Sequence, residues 1–285
     1  MERPEKDIRG ENTLLRAEVK RLRRALAALT PSLPAMLKRR GFRIYKQEPG
    51  DDLLLPAEPF RERYYELLKR YSFRLFLRDI IQHQPRFTPA QVARYATREV
   101  TEEYLERLVE FGLAAREAGS YTLSKGPIRS FGETLEWFVA EIFKREFAAE
   151  AIWGIKMKRP LVGGDYDLLA KIDSSILSME IKSSPPKQIY QKEIHAFFDR
   201  VIDLMPGIAV FFIDTELRMK DKMVPMFEDE LQGRFTLPPE VRRMGKELFE
   251  ISGDGTAMPM TFIINAKESI ENNIERVLAR YFRGR

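Results

Sequence analysis

The sequence predicts an α/β fold in which the residues from about 131 onward run helix, strand, strand, strand, helix, strand around a mixed sheet. Three observations carry this. In residues 130–147, apolar Leu135, Phe138, Val139, Ile142, Phe143 and Phe147 fall on one helical face. Residues 162–182 hold two apolar runs parted by a polar turn at Asp173, Ser174 and Ser175, the pattern of a hairpin. The run IAVFFI at 208–213 is continuously apolar and of strand length, which suits a strand covered on both faces.

In chain order, Leu15, Val19, Leu22, Leu26 and Leu29 step by four and three, the spacing of a coiled-coil seam, until Pro31 and Pro34 stop it. This predicts a dimerisation helix; the same stripe also fits a helix packed on its own chain. Phe42 to Tyr45 reads as a short strand, and residues up to 58 as a connector. Residues 59–127 are expected to form a second unit. One helix spans 61–82. Thr88-Pro89 caps a short one reaching Tyr95, and Thr101 starts another that ends before Gly112. Residues 113–124 make a two-stranded ribbon turning at Ala118-Gly119-Ser120. TPAQVARYA, TEEYLERLVEFGL and the closing SYTLS together resemble a winged helix-turn-helix domain. Its would-be recognition helix carries Glu102, Glu103, Glu106 and Glu110 against Arg107, the wrong charge for a major groove. That favours packing or dimerisation over DNA reading, while Arg94, Arg98 and Arg116 keep DNA in play.

The third unit spans 128–285. Beyond its opening helix come a strand at 151–158, the hairpin, and a helix at 187–205. The strand 208–213 follows, then a strand at 261–266 and a C-terminal helix at 267–281. Residues 215–260 read as charged and loop-rich, with a helix near Pro239 to Phe249.

Composition narrows the function classes. The 285 residues are 44% hydrophobic and 32% charged, as expected of a globular chain. A net charge of +5 permits a phosphate-bearing partner without requiring one. The absence of cysteine excludes disulfides, thiolate metal sites and cysteine nucleophiles. The charged N-terminus is unlike a signal peptide, and no apolar run reaches membrane-spanning length, so a cytoplasmic protein is expected.

The chemistry concentrates at 162–182. Glu180 and Lys182 share one face of their strand while Ile181 faces the core. Asp167 opens the preceding strand, so hairpin pairing brings it to Glu180. Two carboxylates with a lysine beside them form an oxygen-ligand site for a hard divalent cation. Clustered acids raise one another's pKa, and Lys182 offsets part of this.

Three motifs recur in one family: Gly132-Glu133-Thr134-Leu135-Glu136 on the first helix, Gly163-Gly164-Asp165-Tyr166-Asp167 before an apolar run, and Glu180-Ile181-Lys182. In this order they resemble the PD-(D/E)XK nucleases, with their restriction-endonuclease-like αβββαβ fold, and among them the archaeal Holliday-junction resolvases and Mrr-like restriction enzymes. Tyr166-Asp167 stands where the family has Pro-Asp. The resemblance implies a DNA endonuclease of repair, recombination or restriction. It implies Mg²⁺ (or Mn²⁺) held by Asp167, Glu180 and the Ile181 carbonyl. Lys182 would orient or activate the attacking water or stabilise transition-state charge, and Glu136 would complete the shell directly or through water. Glu133 is second choice to Glu136, and Asp165 to Asp167. Gln188, Gln191 and Lys192 are candidate phosphate contacts; His195 reads as a surface or packing residue. DNA and a second copy of the chain are the expected partners. Two other readings stand beside this one: a DNA-binding or regulatory protein on a nuclease-like scaffold, and an interaction protein assembled through the coiled coil and the winged helix.

Overall fold

The computed structural model describes residues 10, 12, 14–19, 21, 22, 25, 30–158, 162, 164–253 and 258–284. An eight-stranded mixed sheet organises them. Its strands are β1 (Arg43–Lys46), β4 (Ala151–Lys158), β5 (Asp165–Ile172), β6 (Ser175–Lys182), β7 (Ile208–Ile213), β8 (Glu240–Gly245), β9 (Leu248–Ser252) and β10 (Met260–Asn265). The spatial order is β1-β4-β5-β6-β7-β10-β9-β8. β4, β5 and β6 pair antiparallel, β7 is parallel to both β6 and β10, and β9 and β8 close the sheet antiparallel. Together with α5 (Gly132–Glu146) and α6 (Gln191–Leu204), this gives the expected αβββαβ order.

Strand alternation divides the core between the two faces. Leu177, Met179, Ile181, Ile208, Val210 and Phe212 pack on one face with α5 and the C-terminal helix α8 (Ile270–Arg283). Ala209, Phe211 and Ile213 face the other way, against Phe197, Phe198 and Val201 of α6 and Phe227 of α7 (Met223–Arg234). β7 is therefore buried along its whole length, as its unbroken apolar run requires. The same second face continues over Ile152, Ile155, Leu169 and Ile176, where α1 (Leu33–Arg39) covers it. Pro34 lies in the first turn of α1, where a missing N–H costs nothing, so it opens this helix.

Residues 54–131 share the first-face core, from Leu54 through Tyr64, Phe73, Tyr104 and Phe131 to Phe138. Here the expected single helix over 61–82 is two, α2 (Arg61–Leu68) and α3 (Tyr71–His83). Arg70 is extended between them, and Arg74 Nη1 folds back to donate to the Leu68 carbonyl at 2.6 Å, satisfying the end of α2. The expected helix from Pro89 to Tyr95 is only a 3₁₀ turn, Pro89–Gln91. Thr97, not Thr101, caps α4 (Arg98–Glu110), and the ribbon β2 (Ala114–Glu117) and β3 (Ser120–Leu123) follows. Ala118 and Gly119, both at positive φ, form its tight turn. On α4, Glu102 pairs with Arg98, and Glu110 pairs with Arg63 and Arg107, so part of the acidic face is internally matched.

The helix expected near Pro239 to Phe249 is instead the β8–β9 hairpin, turning through Glu247 at φ +52°. Beside β10, Leu248 packs into the first-face core and Phe249 and Ile251 into the second, the alternation of a strand. The helix of this region is α7, upstream. The helix after the hairpin starts at Gln191 rather than 187, because Pro186–Gln188 is a 3₁₀ turn. The described residues between 10 and 25 are helical, with Leu15, Val19 and Leu22 exposed; Leu26 and Leu29 lie outside the described residues. Among the described residues no helix is long and apolar enough to cross a membrane.

Candidate functional site

The β5–β6 ladder pairs Leu168 with Met179, so the next step places Asp167 beside Glu180. There the ladder changes character: the Ile181 N–H donates to Oδ2 of Asp167 at 2.7 Å. A side chain stands where a main-chain carbonyl would. A strand residue's N–H and C=O lie on the same edge, so the Ile181 carbonyl is also on the Asp167 side.

The irregularity has a counterpart in β4. Gly154, opposite Asp167 between the pairs Trp153–Leu168 and Ile155–Tyr166, sits at φ +57°. Trp153 and Leu168 face one core, whereas Ile155 and Tyr166 face the other together with Ile152 and Leu169. Alternation thus slips by one residue in both strands at the level of Asp167. A Cβ on Gly154 would lie 2.2 Å from Cδ of Pro49 and 3.6 Å from Oε2 of Glu136. The bare glycine lets Glu136 of α5 approach the sheet directly across from Asp167.

The charges follow from this crowding. Burial pushes Glu136 up to about 9, with Asp167, Glu133, Glu180 and Asp165 adding to it. Burial likewise raises Asp167 to about 7, with Glu180 adding to the shift and Lys182 opposing it. Lys182 behaves in the opposite sense. Burial would lower it, but Glu180 and Asp167 outweigh burial and hold the ammonium above its ordinary range.

Glu180 is 6% exposed and is gripped by two cations. Lys182 Nζ lies 2.9 Å from Oε1, and Arg200 Nη2 donates to Oε2 at 2.5 Å. Lys182 also meets Glu193 at 3.2 Å. The result is an alternating row, Glu193–Lys182–Glu180–Arg200, between α6 and β6. Arg200 and Glu193 escaped sequence reading. Their signal is their separation of seven residues, two helical turns, which puts both on the stripe of α6 that faces the acid-ended strand.

The other candidates fall elsewhere. Glu133 accepts from the Asp52 N–H at 2.9 Å and so anchors the connector. Asp165 is exposed and pairs with Lys156 at 2.8 Å. Gln188 is exposed on its 3₁₀ turn beside a cleft. Gln191 donates to the Met226 carbonyl and to Glu230, while Lys192 lies over the Tyr190 ring. His195 sits among Glu230, Arg234 and Asp199 and joins α6 to α7, a packing role.

A donor set of two carboxylates and one carbonyl suits a hard cation that keeps several waters. Among the described residues no three acidic or histidine side chains converge on one ion-sized point. Asp167, Glu180 and the Ile181 carbonyl are the oxygen donors that such an ion would meet at the strand ends, and Glu136 stands near them across Gly154.

Solved structures share this fold, Can2 among them. Can2 from Sulfobacillus thermosulfidooxidans, in complex with cyclic tetra-adenylate, aligns over 88% of this chain and 61% of its own, with a TM-score of 0.50 at 12% identity. Protein VC1899 from Vibrio cholerae aligns over 67% of this chain and 54% of its own, with a TM-score of 0.45 at 15% identity. The chain spans little more than half the length of these two proteins. No family model matches the sequence, and neither does any curated protein.

Proposed function

We propose that the chain is a metal-dependent nuclease that hydrolyses DNA phosphodiester bonds, and an endonuclease of repair, recombination or restriction. The observation that carries this reading is the strand-end pair: Asp167 bonded to the Ile181 N–H beside Glu180, with Lys182 on Glu180 at 2.9 Å. Mg²⁺ or Mn²⁺ held by Asp167, Glu180 and the Ile181 carbonyl would supply Lewis-acid polarisation of the scissile phosphate. The chain's own residues do the rest. Lys182, held cationic, places a positive charge where negative charge develops on phosphate oxygens, and its ammonium orients the attacking water. Glu136, across the sheet at Gly154, would complete the shell of the site directly or through water. Arg200 fixes the Glu180 carboxylate in one rotamer. The exposed stripe Leu15, Val19 and Leu22 supports a homodimer, which would present two such sites to a duplex.

The test is cleavage of plasmid, branched and single-stranded DNA with Mg²⁺ or Mn²⁺, comparing wild type with Glu180→Ala and Asp167→Asn. Wild type should nick at least one substrate, and only with metal, while both variants are inert. Equal inertness of all three proteins on every substrate sinks the reading, and the scaffold alternative then stands.

A further inference from the structure

A cleft of about 650 Å³ opens between α3 and the segments that follow β6 and β7. That volume is ordinary for a pocket taking a small ligand. Its walls are cationic and aromatic, with Arg78, Arg94, Arg129 and Lys187 among Tyr71, Tyr95 and Phe131. Arg94 and Lys187 are exposed, whereas Arg129 is paired with Asp52 and Arg78 is held by Asp214. The Arg94 guanidinium lies over the Tyr95 ring, 5.3 Å from its centre. Stacked planes of this kind are what unpaired bases lie on.

Two atoms of the lining are left over. Asp79 is 3% exposed, yet its buried Oδ2 has no hydrogen-bond partner, and neither does buried Nε of Arg78. Burial raises the Asp79 carboxyl, with the charges of His83 and Arg94 opposing that shift. A buried carboxylate oxygen without a donor costs stability, and Asp79 is among the residues that line this cleft, so a donor bound there would offset that cost.

We propose that this cleft is a nucleotide pocket: the cationic rim takes the phosphate, the Arg94–Tyr95 pair stacks on the base, and Asp79 accepts a hydrogen bond from the base's amino edge. Carboxylates recognise cytosine through its N4 amino group, so cytosine is favoured over thymine, which lacks an exocyclic amine. The cleft is lined by Ser183 and Ser184, the residues directly after Lys182, so a strand entering it runs toward the proposed cleavage site. Only that last step rests on the nuclease reading; the pocket itself does not. The nucleotide has two sources, an unpaired stretch of nucleic acid or a free nucleotide.

The experiment is fluorescence anisotropy of labelled dC12 and dT12 in EDTA, with the dC12·dG12 duplex for comparison and with dCMP and AMP as competitors. Wild type and Glu180→Gln should bind dC12 alike, about 10-fold tighter than dT12. Arg94→Ala and Lys187→Ala, both at exposed positions, should each weaken binding about 5- to 10-fold and flatten its salt dependence. Asp79→Leu should abolish the dC12 preference while leaving the melting temperature equal to or above that of wild type, since it removes an unpaired buried acceptor. If dCMP or AMP binds tightly and dC12 does not, the pocket stands and its ligand is a free nucleotide. If neither binds, or if Arg94→Ala and Asp79→Leu bind like wild type, the pocket is overturned. Binding without metal-dependent cleavage would instead remove the nuclease reading and leave the pocket in place.

Discussion

Arg200 on α6 donates to Oε2 of Glu180 on β6 at 2.5 Å, so the carboxylate assigned to metal already has a resident cation. Gly164 makes room for it: a Cβ there would lie 3.2 Å from Arg200 Nη1. A divalent ion must share Glu180 with this guanidinium. Arg200→Ala should therefore destabilise the metal-free protein by about 3 kcal/mol, the usual result of breaking a buried pair. The same variant should gain more melting temperature from Mn²⁺ than wild type does, because the competing cation is gone. Calorimetry with and without Mn²⁺ reads both effects, and an equal or smaller metal shift in the variant argues against Glu180 as a ligand.

Lys182 separates charge stabilisation from metal binding. It contacts Oε1 of Glu180 but supplies no donor atom to a cation. Lys182→Met should lower kcat about 100-fold, the typical cost of losing one positioned charge in the transition state. The apparent metal affinity should hold or tighten, since a positive neighbour has been removed. Metal titrations of cleavage rate give both numbers. Weaker metal binding with unchanged kcat would assign Lys182 to site assembly alone.

The legible part of this fold was the part whose chemistry is periodic. IAVFFI at 208–213 suits a strand covered on both faces, and it is a strand buried end to end. The hairpin was readable because its turn is polar and its runs are apolar, and its length alone brought Asp167 to Glu180. Features set by three-dimensional crowding were hidden. The slip in alternation at Gly154 depends on Pro49 and Glu136 arriving from other elements, and glycine in a strand has several meanings. Arg200 looked like any solvated helix cation. The β8–β9 hairpin escaped because Gly245-Lys246-Glu247 is an atypical turn. α7 was not read from the sequence; Pro225 falls inside it, but in the first turn, where proline is tolerated.

The acid cluster predicts how metal-free stability depends on pH. Asp167 at about 7 and Glu136 at about 9 both lie above their unfolded values. A group raised on folding stabilises fully below its unfolded pKa, and that contribution is lost as pH rises through the folded value. In EDTA, stability should therefore fall between about pH 5 and pH 9, read as a melting temperature that drops across that window. Glu136→Gln, which cannot ionise, should flatten the upper part of that fall. A melting temperature that stays level across the window, or a Glu136→Gln profile matching wild type, would show that these acids are not crowded.

Gly154 tests whether the slipped register builds the site. Alanine there is strained twice, by φ +57° and by Pro49 Cδ at 2.2 Å from the new Cβ. Gly154→Ala should cost about 2 kcal/mol or more and should move Pro49 or the Glu136 carboxylate to make space. Activity should fall beyond what the lost stability explains, when assayed well below the melting temperature. Pro49→Ala in the same background removes the harder clash and should recover part of both losses. Recovery of stability without recovery of activity would place the damage at Glu136.

Asp214 is another buried charge, and it shows the opposite sign of pH linkage. It follows β7 directly with no exposure and accepts from Arg74 Nε at 3.0 Å and Nη2 at 2.9 Å, and also from Arg78. Burial alone would raise it, but the two guanidiniums outweigh burial and hold its carboxyl below the ordinary range. Its contribution is therefore present above the unfolded pKa and is lost as pH falls through the folded value. Asp214→Asn keeps the shape but strands two cations, one of them 2% exposed, and should cost about 3–5 kcal/mol. Arg74→Met combined with Asp214→Asn should cost less than the sum of the two single changes, because each single change leaves a buried charge that the pair removes. Urea denaturation of the four proteins closes that cycle. Strict additivity would mean that α3 is held to β7 by packing alone, and that the ion pair between them contributes nothing to the fold.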